Sequence, residues 1–516
     1  MPDSVPILQV KSDLNISKTF KKHSPVLLLV IVLLFSFGLK LNNLGHRSFG
    51  SVDECCHALV AKNLLKHPLK PTLIDVPYLP YSAATWSENH IWLHKPILPL
   101  WQICLSYWLL GVSTLALRIP SAILATLAAG LTYLIGTQFL TRRAAGIAAA
   151  IQAFSGFIMQ LTHGYQFSDA IDISLLFYCE LGIYGLVRAI KTGKWRFALL
   201  AGIAQGLGFL SKTYPAFIIT GVAFATWLAP KFSLAKKKEC HLRGQHILGM
   251  LITTILIAGP WMLYTALQYP VEFKIEHNYI FRHLTEDVEG WRAPWSKAFL
   301  YSAQILNLLT LPVVVAVCCS FFRLFREKNI GLYLLYAWGF GVLLPFSLAT
   351  TKTPSATLIS MPAFLLILGG FVERTTYHKP NDSPYRRGIR VVWATLLVIL
   401  CIGEGIQAWR VTQTHNEHTL SEIAAFAEEH LPKNAVLLTE INVRKREAHY
   451  DYLRLMFFTE HTARPYYLKS EWKSLSQQVQ EHGGIPYVVT FRELDLPLLF
   501  KSEADKRTIY LAEPSD

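Results

Sequence analysis

The sequence has few charged residues and no short internal repeat. Only 16% of its 516 residues are charged, against roughly 25% in an average soluble protein. The positions of the cysteines, with Cys104 and Cys179 inside apolar runs and none after Cys401, exclude a small secreted disulfide framework. The 29 Phe, 22 Tyr and 13 Trp exclude a disordered or collagen-like chain.

Long apolar runs account for much of the 52% hydrophobic content. A bilayer core of about 30 Å needs roughly 20 apolar residues per helix, and the sequence has about eleven runs near this length. The first follows Lys21 and Lys22 and has no small-residue cleavage site, so we expect an uncleaved anchor. The predicted spans are 25–41, 119–140, 144–163, 170–190, 197–211, 215–229, 247–268, 299–322, 330–349, 355–373 and 391–409.

The net charge of +14 would suggest nucleic acid binding in a soluble protein, but here it indicates orientation. The basic clusters all fall on one face if the run 97–111 is a juxtamembrane or re-entrant helix and not a full span. The positive-inside rule then places that face in the cytoplasm, and we expect no nucleic acid partner. The clusters are Arg142-Arg143, Arg188 to Arg196, Lys236 to Lys238, Arg323 to Lys328 and Arg374 to Arg390.

The same topology divides the chain into three parts. Residues 1–24 form a cytoplasmic tail, 25–409 a membrane domain with external loops at 42–118 and 269–298, and 410–516 an external tail. In the external tail, SEIAAFAEEHL and SEWKSLSQQVQEH have helical spacing, whereas AVLLTEI and PYVVTF are typical of strands. We therefore predict a small α/β domain there.

Acidic residues occur at the external ends of two membrane segments. Asp53 and Glu54 follow the first span, and Asp169 and Asp172 open the span that begins SDAIDIS. Acids at such places are either helix caps or, for Asp172, a polar bridge between helices, but ionisable groups at membrane level also mark functional sites. Two acids from separate loops on one face could converge, and one could act as a general base.

Four cations lie on the external face, against the positive-inside rule: Lys95, Lys212, Arg282 and Lys352. Any one of the lysines could simply extend along the membrane surface. Together the four would suit a phosphate, whose charge needs fixed cationic partners.

External histidines raise the question of a metal. Zinc ligands could come from these histidines with Glu54 or Glu88, but their spacing matches no tight ligand motif, so we assign no metal and keep a divalent ion as an open alternative. The histidines are His57, His94, His277 and His283.

The order of several short motifs is similar to that of a known family. DE after the first span is followed by HKP, RIPSA, SDA, FLSKTYP, Pro260-Trp261, the segment from Arg282 to Pro294-Trp295, and TKTPSATLISMP. This order resembles the polyprenyl-phosphate-sugar-dependent GT-C glycosyltransferases, which include dolichyl-phosphate-mannose protein mannosyltransferases and the bacterial aminoarabinose transferase that modifies lipid A. The resemblance covers about 45–373 and implies a GT-C type polytopic helical fold.

The resemblance also implies roles for individual residues. Asp53 would be the essential loop aspartate with Glu54 as its companion, and Asp169 the second acidic residue. The implied substrate and phosphate contacts are Lys95, His94, Arg282, Lys352, Lys212 and His277.

The sequence departs from the family pattern at three places. His94 replaces an acidic residue, Ala356 and Ile359 replace a tyrosine and a proline, and Lys212-Thr213-Tyr214-Pro215 replaces a K-G-P element. These changes line the expected substrate cavity, so the substrate of any one relative is not carried over.

The implied function is transfer of a sugar, with inversion, from a polyprenyl-phosphate carrier to an acceptor outside the cytoplasm. A lipid A or glycolipid acceptor is favoured and a protein acceptor is possible; neither a nucleotide sugar nor an obligatory metal is implied. The expected location is the bacterial inner membrane. The alternative is a secondary transporter or lipid flippase, although the two pseudo-symmetric halves typical of transporters are not evident on either side of 247–268. A receptor or scaffold would leave the intramembrane charges unexplained.

Overall fold

Helices make up most of the chain before residue 414. The computed structural model describes residues 13–81, 83, 85, 89–167, 169–288, 290–376, 384–413, 420–441, 450–468, 470–504 and 506–512, so Glu88 and the first half of the predicted cytoplasmic tail lie outside it. The helices in this part are α1 (Asp13–Leu41), α2 (Val52–Leu64), α3 (Ile97–Leu110), α4 (Thr114–Gly136), α5 (Arg142–Ala153), α6 (Gly156–Thr162), α7 (Asp169–Thr192), α8 (Trp195–Lys212), α9 (Ile218–Leu228), α10 (Gly244–Gln268), α11 (Pro270–Thr285), α12 (Lys297–Leu306), α13 (Thr310–Glu327), α14 (Ile330–Leu348), α15 (Met361–Thr376) and α16 (Pro384–Gln413).

Many of these helices are apolar enough to cross a membrane, as predicted. Within the described ranges seven are long and apolar enough, or eight if α5 and α6, which meet at a 45° bend, form one span. The other three predicted spans fall on α1, α8 and α9. The multi-span helical architecture is therefore confirmed, whereas the count of eleven stays a prediction. The seven are Thr114–Gly136, Asp169–Thr192, Gly244–Gln268, Lys297–Glu327, Ile330–Leu348, Pro354–Thr376 and Arg387–Gln413.

Burial separates central from peripheral helices. In its most apolar window, α7 is 78% buried and the Pro354–Thr376 segment is 89% buried, against 22% for α10 and 11% for α16. An apolar side chain gains little free energy by moving from lipid to the protein interior, so the central helices need polar or closely packed contacts to associate. One is made by Glu180 of α7, which accepts hydrogen bonds from Thr132 of α4 at 2.7 Å and Gln152 of α5 at 2.5 Å.

The run 97–111 forms a short helix, α3. Its 14 residues are fewer than the roughly 20 that a bilayer span requires. It begins directly after Pro96 and ends at Gly111, whose φ of +81° favours glycine. Together with α2, this helix lies between the membrane helices and the C-terminal residues.

The C-terminal residues form a five-stranded sheet with three helices, α17 (Ser421–His430), α18 (Asp451–Phe458) and α19 (Glu471–Glu481). The order of the strands is β2-β1-β3-β5-β4. β1 pairs in parallel with β2 and β3, whereas β5 is antiparallel to β3 and β4. The strands are β1 (Ala435–Glu440), β2 (Thr462–Tyr466), β3 (Ile485–Thr490), β4 (Leu498–Lys501) and β5 (Thr508–Leu511).

The two helices and two strands expected here, at α17, α19, β1 and β3, are confirmed, whereas α18, β2, β4 and β5 were not predicted.

The sheet and α2 share one apolar core. Phe49 precedes α2 and Leu59 belongs to it. Both lie in the same buried cluster as Leu437 of β1, Leu453 of α18 and Tyr487 of β3. The rings of Phe49 and Phe457 meet edge to face at 4.9 Å. The C-terminal sheet therefore packs directly on the helix that carries Asp53.

Buried polar contacts join α18 to the same region. Asp451 is 2% exposed and accepts hydrogen bonds from Arg454, at 3.0 Å, and from Arg507. Arg454 also donates to the carbonyl of Phe49 at 2.8 Å. Lys62 of α2 donates to three carbonyls at the end of α18, where a cation is favourable: Met456, Phe457 and Thr459.

Replacing Asp451 by Asn should strongly destabilise the C-terminal part of the protein. It leaves Arg454 and Arg507 buried without their carboxylate, a loss of about 3–5 kcal/mol for a broken buried pair. The unfolding temperature of the detergent-purified variant, compared with that of the wild type, measures this loss of stability. The control is Glu493→Gln, because Glu493 is 93% exposed and 3.8 Å from Lys501, and should change stability by less than about 0.5 kcal/mol. Equal unfolding temperatures for the two variants would contradict the expectation.

Candidate functional site

Helix α2 holds the two predicted acids at its first turn. Ser51 caps the helix, and its hydroxyl accepts a hydrogen bond from the Glu54 backbone N–H at 3.1 Å. Asp53 and Glu54 are therefore not needed as caps. Both are buried, with 8% and 0% exposure, instead of facing solvent.

Glu54 is enclosed by a tight set of contacts. Arg118 of α4, itself 2% exposed, donates to it at 2.7 Å, and the Gly50 backbone N–H donates at 2.7 Å. Gly164 has a φ of +70°, and a side chain there would collide with the Glu54 carboxylate, so this position requires glycine. Glu54 therefore joins α2 to α4 and to the turn before α7.

Asp53 pairs with Lys95 of the predicted phosphate site. Its Oδ2 atom lies 3.3 Å from Lys95 Nζ, and both side chains keep some exposure. Burial raises the pKa of the Asp53 carboxyl, but the charge of Lys95, followed by His57 and His94, outweighs burial and holds the pKa below its ordinary value. The carboxylate is therefore ionised at neutral pH, as a general base must be.

Asp169 of α7 contacts His57, a histidine of α2. As the first residue of α7, it lies 2.9 Å from Nδ1 of His57, and both side chains are almost fully buried. The structure thus brings Asp53, Lys95 and Asp169, three residues predicted on separate segments, around the start of α2.

His277 lies on helix α11, and His94 contacts the same helix. His94 Nδ1 is 3.1 Å from the Glu276 carboxylate, and both are nearly buried. His277 stacks on Phe273 at 3.9 Å and contacts its carbonyl. Across the described residues no group of three or more His, Cys, Asp or Glu side chains is placed to hold a metal ion. His57, His94, His277 and His283 contact other groups instead, and no step is derived through a metal.

An open pocket lies between the loop before α3, the end of α8, and helices α10 and α11. It contains about 560 Å³ of empty space, including its mouth. His94, Lys95, Glu276 and His277 line it, and Asp53 contacts it through Lys95. Most of the wall is apolar, with Phe209, Leu210, Trp261, Met262, Phe273 and Ile280.

Lys212 and Lys352 have protein partners in this structure. Lys212 forms an ion pair with Asp172, which also accepts a hydrogen bond from Ser355. Asp172 thus forms the polar bridge between helices that was one of its two interpretations. Lys352 is 3% exposed and donates to the carbonyls of Ala349 and Ala293, the latter at 3.0 Å.

Arg282 is placed differently from the other predicted cations. It lies on α11, its side chain is 53% exposed, and it pairs with Glu286 at 2.6 Å. It does not line the pocket that contains Lys95. A phosphate contact by Arg282 therefore stays a prediction.

Three site residues had no role in the sequence-based prediction: Arg118, Glu276 and Ser355. Arg118 lies in the quoted RIPSA motif, and an arginine near the start of an apolar helix is a signal for a buried acidic partner. Glu276 lies in the ionisable loop 269–298 without a spacing that marks it. Nothing in the local sequence distinguishes Ser355.

The chain resembles known families in sequence. Residues 94–264 match the model of the dolichyl-phosphate-mannose-protein mannosyltransferase family. An uncharacterized protein of Aquifex aeolicus is 26% identical over 363 residues, 70% of this chain and 66% of the relative. An undecaprenyl phosphate-alpha-4-amino-4-deoxy-L-arabinose arabinosyl transferase of Erwinia tasmaniensis is 27% identical over 62% of this chain and 55% of the relative. The matches thus span less than two thirds of these relatives.

The fold is similar to that of solved structures over nearly the whole chain. ArnT from Cupriavidus metallidurans bound to undecaprenyl phosphate superimposes with a TM-score of 0.65 and 12% identity, covering 95% of this chain and 98% of that one. The apo oligosaccharyltransferase of Archaeoglobus fulgidus superimposes with a TM-score of 0.63 and 14% identity, covering 91% of this chain and 70% of that one. At these identities the similarity establishes the fold.

Replacing Arg118 by Met should destabilise the protein, because it leaves the Glu54 carboxylate buried without its cation. A broken buried pair costs about 3–5 kcal/mol, whereas replacing both partners by Met should recover much of the loss. Thermal unfolding in detergent measures both. Arg282→Met is the matched control, since its exposed pair contributes at most about 1 kcal/mol. An Arg118 variant as stable as the control would contradict the expectation.

Replacing Lys95 by Gln should change how stability depends on pH. In the wild type, the lowered pKa of Asp53 stabilises the folded state above about pH 4, which is the pKa of an aspartate in the unfolded chain. This stability is lost as the pH falls through the pKa of Asp53 in the folded state. Without Lys95, burial raises that pKa, so the variant loses stability relative to wild type as the pH rises from about 4 toward 7. The measurement is the difference in unfolding temperature across this range.

The Asp53→Asn background provides the control, because no carboxylate is left to titrate. There the effect of Lys95→Gln should not depend on pH. A pH-independent difference in the presence of Asp53 would show that Lys95 does not control the ionisation of Asp53.

Proposed function

We propose that this chain is a GT-C glycosyltransferase that transfers a sugar from a polyprenyl-phosphate carrier to an acceptor on the extracytoplasmic face. The observation that carries the proposal is the Asp53–Lys95 pair at the edge of an apolar pocket. The pair joins an ionised carboxylate and the cation proposed to bind the phosphate in one site. A transporter needs no such pairing of a base with a cation beside an apolar pocket.

The pocket suits the lipid-linked phosphate of such a donor. Its apolar wall, with Phe209, Trp261 and Met262, would hold isoprene units, and Lys95 would hold the phosphate as a point charge. When the bond between the sugar and the phosphate breaks, negative charge grows on the phosphate oxygen. A fixed ammonium at that place stabilises the leaving group more than the ground state.

Asp53 is the proposed general base. It would take the proton of an acceptor hydroxyl while the hydroxyl oxygen attacks the anomeric carbon in line with the departing phosphate, which inverts the configuration. If the acceptor is a phosphate, no proton needs to be removed, and Asp53 would orient it instead. Glu54, buried against Arg118, would keep Asp53 in place.

The remaining predicted site residues would bind or orient the substrates. His94 and His277 line the pocket, so they are proposed to contact the sugar or the phosphate. Lys212 and Lys352 would reach a phosphate only by exchanging their present partners, Asp172 and two carbonyls. Arg282, exposed on α11, is proposed to contact the headgroup of a bound lipid or the acceptor.

We favour lipid A or another glycolipid as the acceptor. Support comes from the motif resemblance to the aminoarabinose transferase that modifies lipid A, whereas the matched family model describes a dolichyl-phosphate-mannose-protein mannosyltransferase. Ala356 and Ile359, which depart from the family pattern, lie in the segment after Lys352. The sugar and the acceptor are therefore left to the experiment.

The proposal includes a topology in the bacterial inner membrane. Eleven spans would place residues 1–24 in the cytoplasm, as the basic clusters favour. The membrane domain would be 25–409, with external loops 42–118 and 269–298. The tail 410–516 would form an external α/β domain on top of the site.

Asp53→Asn should reduce transfer by about 100-fold or more, because a positioned general base contributes roughly 10²–10⁴ to the rate. Mass spectrometry of lipid A and envelope glycans should first identify a hexose, hexosamine or aminosugar that disappears when the gene is deleted. The same signal is then measured in cells that contain wild type or variant at equal membrane level.

Asp75→Asn is the matched control, since Asp75 lies in the same external loop but pairs with Lys66 at 3.2 Å. This control should keep wild-type transfer. Full transfer by Asp53→Asn would remove the role given to Asp53, and unchanged envelope glycans after gene deletion would remove the proposed function.

A further inference from the structure

Asp169 and His57 form a buried pair between two elements of the site. The His57 side chain is fully buried, and its Nδ1 lies 2.9 Å from Asp169 Oδ1. Asp169 begins α7, where the helix dipole favours a negative charge. The contact between Nδ1 and the Asp169 carboxylate fixes the orientation of the imidazole.

The imidazole is placed beside Asp53. His57 follows Asp53 by four residues on α2, so the two lie on the same face of the helix, one turn apart. The His57 ring contacts Trp92 edge to face at 5.9 Å, and Trp92 contacts His94 at 5.8 Å, next to Lys95. His57 therefore touches the segment that carries the proposed phosphate ligand.

The second ring nitrogen has no partner in the described part of the chain. Nε2 of His57 is buried and forms no hydrogen bond there. An unsatisfied buried polar group destabilises the folded state, so a histidine is a poor choice for packing alone at this position.

We infer that His57 is a positioning residue for Asp53 and that Asp169 acts through His57 rather than by contact with the substrate. The inference rests on the proposed function and deepens it, since Asp169 was expected to act directly. Asp169 holds the ring, and the ring holds the first turn of α2 against Trp92. Asp53 is thereby kept in position relative to the phosphate that Lys95 would bind.

A double-mutant cycle tests this order of action. The variants are His57→Gln, Asp169→Asn and the combination, each at equal membrane level in cells, and the readout is the rate of formation of the sugar-modified product. Misplacement of a catalytic group costs up to about 100-fold. We expect each single variant to lose about 10- to 100-fold, and the combination to be no slower than the slower single variant.

Two further measurements separate positioning from general damage. The purified variants should bind undecaprenyl phosphate, used as the probe, with wild-type affinity, and should unfold within a few degrees of wild type. His67→Gln is the matched control, because His67 follows α2 and is half exposed. It should keep the wild-type rate.

The outcomes are distinct. Losses that multiply in the combination would overturn the inference, because Asp169 would then act independently of His57. Single variants with unchanged rates, or with losses explained by weaker undecaprenyl phosphate binding, would overturn it as well. A wild type that modifies no acceptor would overturn the proposed function, and the inference with it.

Discussion

A charged group buried at the edge of a bilayer needs a partner, because removing it from water costs several kcal/mol unless an opposite charge or hydrogen bonds replace the water. Three ion pairs of this protein meet that requirement. Glu54 pairs with Arg118, Asp53 with Lys95, and Asp172 with Lys212. In each pair the two partners come from different segments, so satisfying each charge also joins two parts of the chain.

The pairs differ in what they leave available for chemistry. Glu54 and Arg118 are closed off from solvent and can only hold α2 and α4 together. Asp53 and Lys95 keep some exposure at the pocket, where ligand groups can exchange with protein contacts. Two adjacent residues thus have different surroundings: Glu54 is enclosed, and Asp53 lies at the pocket. The proposed electrostatic catalysis would require such preorganisation.

The sequence was sufficient for features that depend on local composition. The lengths of the apolar runs predicted the positions of the membrane helices. The order of the motifs indicated that Asp53, Lys95 and Asp169 belong to one site. Partner choice was not predictable, because Glu54 and Arg118 are brought together only by the packing of α2 on α4. The same holds for α18, whose eight residues are too few to form a helix in isolation and depend on burial against α2. Lys352 was expected at the phosphate, but its nearest acceptors are backbone carbonyls.

The contact of Arg454 with the carbonyl of Phe49 joins residues 405 positions apart in the chain. During biosynthesis α2 emerges long before α18, so the part of α2 that packs on the C-terminal sheet stays uncovered until α18 and the strands have been translated. A nascent chain that has already inserted its helices still lacks this surface. The apolar core beside Asp53 therefore forms only after the membrane helices have been made.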